Sequence, residues 1–144
     1  MIVMSILKKL ETFRQLDGYL GAGVFSSDGI MQAGITEVSG VSFEIAGKLF
    51  HDAFLFTNNN SREAGFGRID TLQVESELGV VLAKCCSGGE DAFHTIVVVS
   101  RDTNLAMAKM LLSKVVETLK SDFQEDLDNW AQPRGKQKQG KSRK

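Results

Sequence analysis

The sequence predicts an α+β domain: a mostly antiparallel five-stranded sheet with helices on its faces. Three observations carry this. Hydrophobic periodicity runs helix, strand, strand, helix, strand, strand, strand, helix along the 144 residues. The connections between neighbouring strands are short and rich in turn residues, as hairpins require. One run, Ile96 to Val99, is unbroken β-branched, the composition of a central strand covered on both faces.

The elements follow in order. Val3, Ile6, Leu7, Leu10, Phe13 and Leu16 line one face of an amphipathic helix that ends at Asp17-Gly18. Tyr19 to Ser26 is a first strand, and its Gly21, Ala22 and Gly23 imply that something packs closely over it. Ser27-Asp28-Gly29 turns the chain into a second strand, Ile30 to Ile35. Thr36 or Ser39 caps a long helix, Val38 to Phe56, which runs out into the polar stretch Thr57 to Ser61, expected to be a loop. Gly67 to Glu75 is a third strand with charge on both faces, which places it away from the sheet centre. Val80 to Cys85 and Phe93 to Ser100 are the fourth and fifth. Asp102-Thr103-Asn104 caps the last helix, with Leu105, Ala108, Leu112, Val115 and Leu119 on its apolar line.

The helix from Val38 to Phe56 has one apolar stripe more than a small domain needs. One line is Ile45, Leu49, Ala53 and Phe56; the other is Phe43, Gly47, Phe50 and Phe54. A monomer could bury both, but three helices and five strands leave little to cover the outer one, so the surplus points to self-association.

Composition is that of an ordinary globular domain, 42% hydrophobic and 24% charged. No run is long and apolar enough for a membrane helix, and the start lacks the pattern of a signal peptide. Cys85 and Cys86 are adjacent and unsuited to bridging each other, which suits a reducing, cytoplasmic setting. All 18 acidic residues precede Pro133, whereas six of the 17 basic residues follow it. Residues 1–130 are expected to form the domain and 131–144 a disordered basic tail, able to make weak contacts with an anionic partner or membrane surface. The acidic body argues against a specific nucleic-acid-binding domain.

No constellation of residues reads as catalytic. Gly135 to Ser142 matches a phosphate-binding loop by spelling, but no strand feeds it and no helix follows. Cys85 and Cys86 with His51 and His94 would be needed together for a zinc site; a strand-end pair with one thiol buried is the simpler reading. His51 and His94 have no nucleophile in a recognisable turn beside them and read as satisfied or solvent-facing histidines. Gly18, Gly21 and Gly23 come before a strand rather than after one, the reverse of a dinucleotide loop. No cofactor, metal or catalytic residue is expected.

Taken together, the element order, Leu16 to Gly34 (LDGYLGAGVFSSDGIMQAG), the long second helix and Ser100 to Leu112 (SRDTNLAMAKMLL) resemble the roadblock family. That family includes a dynein light chain and bacterial and archaeal regulators of Ras-like GTPases. The resemblance covers residues 3–122; the asparagines at 58–60, the cysteine pair and the tail depart from it. It implies a profilin-like or longin-like sandwich, with the second helix on one face and the first and last on the other. It also implies a homodimer whose third strands pair edge to edge beside adjacent second helices. On that basis Ile45, Leu49, Ala53 and Phe56 are assigned to the sheet. Phe43, Gly47, Phe50 and Phe54, with Arg68, Asp70 and Leu72 of the third strand, are assigned to the dimer interface.

The function that the resemblance implies is a non-enzymatic homodimer that binds a Ras-like small GTPase and modulates its nucleotide cycle. Arg62 and Arg68 are weak candidates for an arginine reaching the nucleotide. A structural adaptor in a larger complex, without effect on any nucleotide, is the alternative.

Overall fold

The computed structural model describes residues 2–38, 42–85 and 93–131. The helices are α1 (Ile2–Leu10), α2 (Phe43–Glu63) and α3 (Leu105–Ala131), with a 3-10 turn at Glu11–Gln15 continuing α1. The strands are β1 (Tyr19–Phe25), β2 (Met31–Thr36), β3 (Thr71–Glu75), β4 (Val80–Cys85) and β5 (His94–Val99). The element order matches the expectation. Cys86, the turn expected after it, residues 132–144 of the tail and its phosphate-loop spelling lie outside the described residues, as does Ser39, one of the two caps expected for the long helix; Ala131, expected to open the tail, is the last residue of α3.

All strand pairings are antiparallel and the order across the sheet is β2-β1-β5-β4-β3. The Val-rich run therefore lies in the central strand, and the charged third strand at an edge, as the patterns predict. β3 is shorter than expected: residues 67–70 lead into it rather than belonging to it.

Two apolar layers sandwich the sheet. On one face α1 and α3 cover Ala22, Val24, Leu82, Val97 and Val99, with Ile6, Leu10, Phe13, Leu112 and Leu119 fully or almost fully buried. On the other, α2 covers Phe25, Val81, Ala83 and Ile96. The alternation along each strand decides which side chain meets which layer. Gly18 sits at the entry to β1 with φ +88, where its carbonyl accepts from the Ser100 N–H at 2.7 Å. Thr103 Oγ1 donates to the Asp17 carbonyl at 2.8 Å, so the start of α3 is tied to the start of β1.

The long helix departs from the expected bounds at both ends. It starts after Ser42, whose Oγ accepts from the Ile45 N–H, because Thr36 is still in β2 and its hydroxyl accepts instead from the Val38 N–H. It continues through the asparagines to Glu63. Asn60 Nδ2 donates back to the Phe56 carbonyl at 2.8 Å, and Asn58 Oδ1 accepts from the Ile69 N–H at 2.9 Å. The polar run thus serves the helix and the chain beyond it, instead of breaking the helix.

Candidate functional site

α2 has two unlike faces. Inward, Phe43, Gly47, His51 and Phe54 are buried and Phe50 is half-buried. Phe43 packs over Gly23, whose missing Cβ would lie 2.6 Å from the Phe43 ring, and tilts at 48° to Phe25 with ring centroids 6.1 Å apart. Gly47 sits directly on Phe25, which leaves no room for a Cβ. The close packing expected over β1 is therefore made by α2.

Outward, Ile45 is 65% exposed, Leu49 64%, Leu55 41% and Phe56 72%. The stripe assignment made from sequence is thus inverted. Phe43, Gly47 and Phe54 belong to the sheet contact, not to a partner, while Ile45, Leu49 and Phe56 are the outer stripe; Ala53 is intermediate. The physical reason is fit: the bulky Phe25 on the sheet calls for a glycine on the helix, and Gly47 fixes which face settles on it. Both lines were comparably apolar, so hydrophobicity alone did not distinguish them. The pairing of small with large residues across β1 and α2 was the available signal. Lys48 and Asp52, paired at 3.6 Å and both half-exposed, also lie on the outer side.

From α2 the chain runs through residues 64–70 into β3, the strand at the sheet edge. Leu72 and Val74 pack on the α2 layer, whereas Gln73 and Glu75 are exposed. Among the described residues, β3 pairs only with β4, so its other backbone edge is open. Arg68 is exposed. Asp70 is exposed too, but Lys84 Nζ donates to it at 2.6 Å and Thr71 Oγ1 at 2.9 Å. The Lys84 bond is the main reason its carboxyl titrates below the usual carboxylate range. Between helix and strand, Phe66 stands 86% exposed between two glycines with positive φ, Gly65 and Gly67. Its N–H donates to the Ser61 carbonyl at 2.9 Å, and Ser61 Oγ donates to the Gly67 carbonyl at 2.7 Å. The Phe66 backbone is therefore held at both sides. Arg62, in the last turn of α2, faces solvent nearby in sequence.

His51 and His94 are neither separate nor solvent-facing. They are buried against each other between α2 and β5, which the sequence did not reveal. Cys85 is partly buried at the end of β4, in register with His94. Among the described residues no group of three or more His, Cys, Asp or Glu is placed to hold a metal ion, and no helix is long and apolar enough to cross a membrane. The surface with most to offer chemically is the apolar outer face of α2, joined through residues 64–70 to the open edge of β3.

No family model matches the chain, and no curated protein matches it. Solved structures do. The Roadblock/LC7 domain from Streptomyces avermitilis has a TM-score of 0.69 at 12% identity, over 85% of this chain and 95% of that one. MglB in a tetrameric arrangement gives 0.74 at 14% identity, over 86% and 91% of the two chains. The gliding protein MglB from Thermus thermophilus gives 0.72 at 14%, over 86% and 92%. At such identities the likeness is one of fold, and the fold of this chain is the roadblock fold.

Proposed function

We propose that this protein is a non-enzymatic, cytoplasmic homodimer that binds a Ras-like small GTPase and modulates its nucleotide cycle. The observation that carries the dimer is the apolar outer face of α2, Ile45, Leu49 and Phe56, continuous in the chain with the open edge of β3. Pairing two β3 edges would satisfy their free N–H and C=O groups, and placing two α2 helices side by side would remove the stripe from water. Together these surfaces can supply the roughly 800 Å² per partner of a stable interface. Arg68, Asp70 and Leu72 stay within the proposed interface, at its strand side. Phe43, Gly47 and Phe54 do not.

The GTPase rests on the likeness to roadblock regulators. No described residue is arranged as a hydrolytic site, so an effect on the nucleotide would come from orienting the GTPase's own catalytic groups. Exposed Arg62, in the last turn of α2, and Arg68, in the loop that joins α2 to β3, supply positive charge at that end. The test is single-turnover GTP hydrolysis and nucleotide release by a Ras-like GTPase, with and without this protein. A changed rate is expected. Binding with both rates unchanged would overturn the regulator and leave the structural adaptor.

A further inference from the structure

The contact between α2 and the sheet contains a polar pair. His51, on α2, and His94, on the central strand, are 1% and 2% exposed, with ring centroids 4.3 Å apart. Their Nδ1 atoms face each other in a hydrogen bond. On its far side His51 Nε2 lies 3.0 Å from the carbonyl oxygen of Ser27, in the turn between β1 and β2. Phe54 covers His94 at 4.5 Å between ring centroids.

Hydrogen-bond chemistry assigns every proton in this chain. A carbonyl oxygen only accepts, so His51 Nε2 must donate to Ser27. Neutral His51 then has a bare Nδ1, and His94 Nδ1 must carry the proton between the rings. The bare nitrogen of the pair is His94 Nε2. A further proton has two destinations. On His51 Nδ1 it would set two N–H groups against each other and break the bond. On His94 Nε2 it would place a charge in a ring closed off by Phe54 and the sheet.

We propose that His51 and His94 form a proton-sensitive latch that clamps α2 and the β1–β2 turn onto the sheet when both rings are neutral, and that acidification releases α2. The surroundings fit. On β1 the register neighbour of His94 is Phe25, and on β4 it is Cys85. Among the described residues, the charged groups adjacent in sequence to the pair and its contacts have other partners, and Glu44, Arg62 and Glu63 at the ends of α2 are exposed. Lys48 and Asp52 on α2 pair with each other, Lys84 on β4 holds Asp70, and Asp28 in the turn bonds Ser26. Burial first, and the neighbouring imidazole second, push His94 down from 6.5 to about 4. The folded value lies below the unfolded one, so the unfolded chain takes up the proton first as pH falls. The stability carried by the neutral ring is complete above about 6.5 and is lost as pH falls toward about 4.

Two measurements test the latch. Long-range proton–nitrogen NMR of histidine-labelled protein at pH 7.5 should show His51 protonated at Nε2 and His94 at Nδ1. On acidification, α2 amides should lose exchange protection before those of β5. The opposite tautomers, or simultaneous loss across the whole sheet, would overturn the proposal. In His94→Phe, which keeps a ring under Phe54, the fall in the folded-to-unfolded ratio between pH 7 and pH 4 should be smaller than in the parent protein by on the order of 100-fold. Equal falls would overturn it. If that variant does not fold, the NMR titration of the parent chain decides alone.

Discussion

Gly47 stands where the Phe25 ring leaves no space for a Cβ. Replacing it with alanine forces α2 away from the sheet or the ring out of its place. Such overpacking costs about 1–3 kcal/mol, and chemical denaturation of Gly47→Ala is expected to show that loss. A variant as stable as the parent would mean that the helix rides higher than described. In the sequence this residue read as part of an apolar line assigned to a partner, and its actual neighbour was not legible. A glycine leaves room for a close neighbour, here an aromatic ring, without saying which one. His51 and His94 illustrate the same limit. Each read as an ordinary histidine, and 43 positions separate them. What joins them is the sheet register, in which His94 falls between Phe25 and Cys85, and the depth at which α2 settles.

At the scale of the element, α2 was legible as a long helix with two apolar lines, and that survives. Its ends and its orientation were not. Serine, threonine and asparagine cap, turn or join helices according to which backbone groups lie within reach, so Thr36, Ser42 and Asn58 could not be ranked in advance. The orientation gives a sharp expectation for paired variants. Leu49→Asp places a charge on the outer stripe and should yield a folded monomer by light scattering and circular dichroism. Phe54→Asp places one beneath the helix, against His94 and the sheet, and should unfold the chain. The reverse outcome would restore the orientation first read from the sequence.

For the molecule as a whole, the antiparallel hairpin neighbours, the central Val-rich strand and the edge position of β3 follow from patterns visible in the chain, whereas the pairing of β1 with β5 does not. Hairpin turns dictate antiparallel neighbours, and the Val-rich run demands the centre. The sequence could not say how far the outer surface is used, since that depends on a second molecule. If the proposed dimer forms, unfolding and dissociation are linked. The melting temperature should then rise with protein concentration for the parent chain and stay level for Leu49→Asp. A concentration-independent parent would remove the dimer.

The central place of β5 has a further consequence. Its partners are β4, just before it, and β1, near the opposite end of the domain. Until β5 has left the ribosome, β1 lacks its inner neighbour and α1 lacks α3, so the first half of the chain emerges with apolar faces uncovered. Closing β1 onto β5 requires a long loop to form before many contacts reward it, which makes this pairing a slow step in folding. Nascent chains halted before His94 should therefore be bound by chaperones and cut by proteases, and chains extended through α3 should resist both.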